Sequence, residues 1–406
     1  MIDIKLIRDK KGAVKKGLKS RGVDPKIIDE FLELDDQWRE LTTKLDSFRN
    51  QQKKFGQERK IVKARALKKK IKTHQAKLMK LVDLRKDILN RIPNLPSEEA
   101  LKGKGEQDNK VLREVGKKPN FKFEPKDYLT IAEGLDMIDM KRGAKVSGSR
   151  FGYLKNDAVL LELSLINYAF DLLVPKGFIP VIPPAMIKPA VFEGMGRLAA
   201  DQKEERYYLP KDDLYLIGSA EHTIGPMHKD EILDEDQLPI RYVGFSPSFR
   251  REAGSYGKDT KGILRVHQFD KVEMFSFCRP EDSEKEHQFL LSLQEKIMKG
   301  LKLPYQVVEI CTGDLGWTDA RQFDIKTWLP GQGVYRETHS ASNTTDFQSR
   351  GINVRFKRKK GQQLEFVHML NATGLAIGRT IIALIENNQT KTGEVKIPAI
   401  LKKGRR

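Results

Sequence analysis

The sequence predicts an α+β chain in which an antiparallel two-helix coiled-coil arm precedes a domain built on an antiparallel sheet. Two apolar series with heptad spacing lie near the N-terminus, the hydrophobic period switches toward two beyond about residue 115, and strand-like runs there outnumber helical ones. At 406 residues the chain exceeds a usual single core, so two domains are expected, at 1–110 and 111–406.

The first series runs Ile27, Phe31, Leu34, Trp38, Leu41, Leu45 and Phe48, alternating steps of four and three as a coiled-coil seam requires. The second runs Leu67, Ile71, His74, Leu78, Leu81, Arg85 and Ile88, with two polar members, and Pro93 and Pro96 stop it. The simplest pairing is a hairpin turning near Gly56. Between Arg49 and Lys86 stand fifteen basic residues and two acidic ones, Glu58 and Asp83. The acidic partners that normally lace a solvated helix surface are missing, so these helices repel themselves unless a polyanion lies against them. Lys53, Lys54, Lys60, Lys63, Arg65, Lys68, Lys69, Lys70 and Lys72 are the expected phosphate contacts, and the whole chain's balance of +19 agrees.

After a polar linker at 96–110 the candidate strands are FIPVIPP, RYYLP, LYLIG, RYVGFSPSFR, KVEMFSF, YQVVEI and QFDIKTWLP. Helices are expected at VLLELSLINYAFDLLV, SEKEHQFLLSLQEKIMKGL and near Gly374 to Asn387. No repeat of 20 to 50 residues is visible, which removes solenoids. Cys278 and Cys311 are too few for a disulfide scaffold or a Cys-only zinc site and suit a reducing cytosol. The N-terminus lacks the apolar core of a secretory signal, and Glu162 and Asp171 interrupt the longest apolar stretch, so no membrane anchor is expected.

Neither a G-x-x-x-x-G-K-[ST] loop nor a strand followed by G-x-G-x-x-G occurs, and no H-E-x-x-H offers metal ligands. Phosphates would therefore be held by side chains, for which the planar guanidinium fork is suited. The segment FRREAGSYGKDTKGILRVHQFDKVEMF, Phe249 to Phe275, reads as strand, loop with Gly254, Gly257 and Gly262, and return strand. It gathers Arg250, Arg251, Glu252, His267, Phe269 and Glu273.

This stretch resembles class II aminoacyl-tRNA synthetases, and specifically the seryl enzymes, whose second motif reads FRxEAG, a variable loop, then HQFxKVE. LLVPKGFIPVIPPAMIKPAVFEGMG is similar to the first class motif, with Pro183 or Pro184 as its dimer-interface proline, and LNATGLAIGRTIIALIENNQ to the third. The N-terminal opening, heptad hairpin and IPNLP junction fit the same family, so the likeness spans essentially the whole chain.

The resemblance implies an ATP site in which Arg250 holds the α-phosphate and substrate carboxylate and Arg379 the γ-phosphate. Arg251 belongs to the same set. Glu252 would accept from the adenine amino group, Phe269 stack on the ring, and Val266 line the pocket. It implies that Glu337 and Ser340 carry Mg²⁺ bridging the phosphates, with Thr338 and His339 beside them as pocket wall; carboxylate and hydroxyl oxygens suit that hard cation. For L-serine it implies Ser219, Ala220 and Glu221, where the family has Thr-Ala-Glu, together with Arg250, Glu273, Asn343 and Thr373. The expected activity is ligation of serine to the 3′ end of serine tRNA, and of selenocysteine tRNA where present, by a cytoplasmic homodimer. The other readings are a paralogue that loads a carrier protein, and an idle RNA-binding homologue. The intact basic hairpin opposes the first; retention of Arg250, Glu252, Glu273, Glu337 and Arg379 opposes the second.

Overall fold

The computed structural model describes residues 1–253, 259 and 261–402. Glycines 254 and 257 of the expected loop lie outside the described residues. The chain forms two compact units, Met1–Leu95 and Pro96–Arg406. The division thus falls before the polar linker, whereas the sequence reading put it at 110. The reason is that the linker's backbone groups find partners in the second unit: Ser97 N donates to Ala320 O at 2.9 Å and Thr312 N to Leu101 O at 2.7 Å.

In the first unit, helices α1 (Lys26–Gln57) and α2 (Ile61–Asn90) pair as the heptads require. Phe48 meets His74 edge-on at 5.2 Å, and the Arg85 guanidinium lies 4.3 Å over the Trp38 ring, so the two helices run antiparallel. The two polar members of the second series are therefore seam residues with aromatic partners. Arg85 also reaches Asp35, a fully buried carboxylate that takes Arg8 Nε at 2.7 Å and lies 3.5 Å from Arg39 Nε. Burial would raise Asp35, but Arg8 and Arg85 outweigh it and hold the carboxyl below its usual range. The turn falls at residues 58–60, where Arg59 takes a left-handed φ of 54°.

The second unit is organised by one sheet of eight strands: β1 (Lys110–Val115), β2 (Phe178–Val181), β3 (Ile240–Phe249), β4 (Gln268–Cys278), β5 (Tyr305–Glu309), β6 (Arg321–Leu329), β7 (Val334–Asn343) and β8 (His368–Ala376). Their spatial order is β1-β5-β6-β7-β8-β4-β3-β2, antiparallel throughout except for β2 against β3. Strand β7 escaped the sequence reading because RETHSASN is polar on both of its faces. RYYLP and LYLIG supply only the short strands Tyr208–Leu209 and Leu214–Leu216, in a separate three-stranded sheet.

Three helices, α3 (Asp157–Leu173), α4 (Ser283–Leu301) and α5 (Ile377–Asn387), cover one face of the large sheet. That face supplies Val243, Val272, Met274, Phe323, Ile325, Ala341, Ala372 and Leu375 to the core. Helix α3 is apolar enough, with the turn after it, to cross a membrane by length and composition, yet Leu161, Leu165, Ala169 and Leu173 pack into this core. The opposite face is polar around Lys271, Glu273 and Thr373 and apolar farther along the same strands, at Tyr242, Phe275, Phe277 and Met369, and two irregularities in register decide which residues stand on its polar part. Ile325 pairs with His339 but Lys326 with Glu337, leaving Thr338 as an extra residue; Val272 pairs with Leu375 but Glu273 with Thr373, leaving Gly374 as another. Strand side chains alternate, so without these bulges Glu337 would share the core-side face of His339. With them, Asp324, Lys326, Glu337, Ser340, Asn371, Thr373, Lys271 and Glu273 all share the polar face.

Candidate active site

The polar face carries a cavity lined by Arg250 from the end of β3, Val266, Phe269 and Lys271 on the return segment, Glu337, Thr338 and Ser340 on β7, Thr373 on β8 and Arg379 on α5. The two guanidinium groups are 129 residues apart in the chain and open into one space. Arg250 donates from Nε and Nη2 to Gly218 O at 3.3 and 3.2 Å and sits 5.2 Å over the Phe269 ring. Burial and the neighbouring Arg379 charge push its pKa down. Arg379 donates from Nη1 to Glu337 O at 2.9 Å and pairs with the Glu337 carboxylate at 3.3 Å. Glu252 takes a left-handed φ of 51° and pairs with Arg265 at 3.2 Å; both line the cavity.

Beside it lies a buried polar compartment. Ser219 Oγ donates to Glu273 Oε2 at 3.3 Å, and Lys271 forms an ion pair with the same carboxylate. Burial, with the Glu221 charge, holds Glu273 above its usual range although Lys271 and Asn371 oppose the rise. Glu221 is ion-paired with Arg197 at 2.8 Å; burial opposes its charge, but Arg197 and His222 keep it well below the usual range. Burial lowers His222 to about 3, so its ring is neutral. Because its Nδ1 accepts from Gly218 N at 3.0 Å, the proton belongs on Nε2, 3.2 Å from Glu221. Glu221 Oε2 and Glu273 Oε1 are buried and without hydrogen-bond partners among the described residues, as an ammonium-binding compartment would leave them.

Some expected residues stand elsewhere. Asn343 is on the helix-facing side, where its amide donates to Ser283 Oγ at 2.8 Å and its oxygen accepts from Thr345 N at 2.9 Å. The amide on the polar face is Asn371, which strand alternation places beside Glu273 and which the sequence reading missed. His339 shares the face of Ile325 and Ala341, is almost fully buried, and is lowered to about 3 by that burial; it does not line the cavity. Arg251 is exposed, 5.9 Å over the Tyr207 ring and outside the cavity lining. Ala220 offers no polar atom beyond its backbone and packs among apolar residues under β3. Lys271, Arg197 and Arg265 were also missed. Lys271 could have been found from its position two residues before Glu273 on one strand face; Arg197 has no comparable signal.

Among the described residues no group of three or more His, Cys, Asp or Glu could hold a metal ion by itself. Glu337 and Ser340 do share one strand face, with Asp324 beside them, so the donors present are hard oxygens that fit Mg²⁺ carried in on phosphates. In the first unit all nine expected phosphate contacts are exposed. Lys60 pairs with Glu58 at 2.6 Å, and the other eight have no ion pair among the described residues.

Residues 1–96 match the model of the seryl-tRNA synthetase N-terminal domain, and residues 205–388 that of the class II tRNA synthetase core domain for G, H, P, S and T. The serine–tRNA ligase of Dictyoglomus turgidum is 44% identical over 99% of this chain and 97% of its own length. The chain belongs to the seryl-tRNA synthetase family. Seryl-tRNA synthetase from Pyrococcus horikoshii, solved complexed with ATP, superimposes with a TM-score of 0.92 at 41% identity, covering 99% of this chain and 98% of that one. The cytoplasmic serine–tRNA ligase of Naegleria fowleri, in complex with AMP, gives 0.86 at 33% identity over 99% and 96%. The synthetase thus shares both its helical arm and its sheet with these relatives.

Proposed function

We propose that this chain activates L-serine with ATP and transfers it to the 3′ end of serine tRNA. The observation that carries this reading is the shared cavity of Arg250 and Arg379, adjoining a buried polar compartment that holds the carboxylates of Glu221 and Glu273. In the first step the serine carboxylate attacks the α-phosphorus in line, giving seryl-adenylate and pyrophosphate. Arg250 neutralises the α-phosphate and serine carboxylate, Arg379 the γ-phosphate, and Phe269 and Glu252 take the adenine. Positioning and charge neutralisation supply the catalysis, so no side-chain nucleophile is required. In the second step a terminal ribose hydroxyl attacks the adenylate carbonyl and AMP leaves.

Mg²⁺ held by Glu337 and Ser340 supplies charge neutralisation across the phosphates. Serine's ammonium is taken by Glu273 and Glu221, and its hydroxyl by Thr373 or Asn371; a site built for a hydroxyl rejects analogues that lack it. The basic arm tracks an RNA backbone by shape and phosphate contacts. A second copy covers the exposed apolar side chains Val159, Leu160 and Leu163 at the start of α3 and Ile179 and Ile182 in and just after β2, the latter beside Pro183 and Pro184. The enzyme works in the cytoplasm. Serine-dependent ATP–pyrophosphate exchange, followed by charging of serine tRNA, tests the reading; exchange with glycine or alanine in preference to serine would overturn it.

A further inference from the structure

Glu273 is fully buried in a compartment it shares with a second carboxylate, Glu221. An isolated carboxyl there would take up a proton, and a neutral acid is a poor partner for an ammonium. Glu221 is matched by Arg197, leaving Glu273 to be matched by something else. Lys271, itself buried and two residues earlier on the same strand face, is that partner. Its Nζ also donates to Ser219 Oγ at 3.4 Å, and that hydroxyl donates onward to Glu273 Oε2. Lysine and serine thus converge on one oxygen, while Oε1 stays buried without a partner among the described residues.

We infer that Lys271 is a positioning residue for the amino acid: it favours the carboxylate form of Glu273 and occupies one carboxylate oxygen, so that the other is presented to the substrate ammonium. The inference rests on the serine-activation reading, which exchange by the unaltered enzyme tests on its own. The charged groups facing this carboxylate are Lys271 on its own strand and Glu221 from the helix Glu221–Ile224, with Arg197, Asp319 and Arg250 behind Glu221. Strand β8 presents neutral Asn371 and Thr373, and β7 presents Ser340 and Ser342.

The test is serine-dependent pyrophosphate exchange by Lys271→Met, Lys271→Arg, Glu273→Gln and the Lys271→Met/Glu273→Gln double variant. Lys271→Met is expected to raise the serine KM about tenfold or more at neutral pH, one unit of protonation shift being tenfold, with the ATP KM nearly unchanged. Its serine KM should fall as pH rises, because Glu273 then regains its charge, and should do so more steeply than that of the unaltered enzyme. Lys271→Arg should restore most of the affinity, and the double variant should be no worse than Glu273→Gln alone. An ATP KM that climbs in step with the serine KM, or losses that add in the double variant, would overturn the inference and make Lys271 a phosphate ligand or an independent prop. If Lys271→Met does not fold, Lys271→Gln keeps a donor without the charge, and its serine KM must show the same pH dependence.

Discussion

Replacing Arg65, Lys69 and Lys72 with alanine tests the arm at the place where its geometry is most explicit. Leu67 and Ile71 are buried in the seam of α2, and at 3.6 residues per turn these three basic residues point to the opposite side. All three are exposed, and none has an ion pair among the described residues. The helical rise spaces Arg65 from Lys72 by about 10 Å, close to the screening length at physiological salt, so each meets a phosphate nearly independently of the others. Deleting one such cation takes about 0.7 to 0.9 off the slope of log affinity against log salt, about 2 to 3 for the set. Between 50 and 200 mM salt the unaltered enzyme should therefore lose about 30-fold more tRNA affinity than the triple variant. The assay is the KM for serine tRNA in charging at several salt concentrations, beside pyrophosphate exchange without tRNA. Stability should hold or rise, since alanine favours helix and like charges are removed. Equal loss of exchange and charging would refute the reasoning and make the stripe a folding element.

Three further outcomes follow from particular side chains. Asp35→Asn removes the hub of Arg8, Arg39 and Arg85 and should cost the N-terminal unit about 3 to 5 kcal/mol in thermal unfolding. Since Asp35 titrates below its ordinary value when folded, its contribution is complete above about pH 5 and disappears as pH falls below about 4, so parent and variant should converge in acid. Gly262→Ala would put a methyl 1.9 Å from the Tyr128 hydroxyl at a φ of +71°, where Ile263 N donates to that hydroxyl at 2.8 Å. It should cost about 2 to 4 kcal/mol and raise the ATP KM, because Ile263 and Leu264 line the cavity. Asn371→Ala should raise the serine KM about tenfold, whereas Asn343→Ala should lower the melting temperature and leave that KM within about twofold; the reverse result would restore Asn343 to the pocket.

The arm was legible because a heptad repeat is a local property: apolar steps of four and three fix the seam face whatever the rest of the chain does. Arg85 and His74 are the two polar members of that repeat. They became intelligible only when Asp35, Trp38 and Phe48 were seen opposite them. In the second unit, Arg250, Phe269 and Glu273 could be read from one motif because they flank a single hairpin.

What the sequence determined by itself, then, was the family, the two-part architecture and those residues whose roles depend on neighbours within one strand pair. The tertiary structure alone decided which side of the sheet each remaining residue faces. A one-residue bulge reverses side-chain alternation, so Thr338 and Gly374 put Glu337, Ser340, Thr373 and Asn371 on one surface and send His339 and Asn343 to the other. Pairing of Glu221 with Arg197 and of Glu273 with Lys271 was likewise settled by burial, since a carboxylate taken out of water needs a cation, and only the packed chain brings that cation to it.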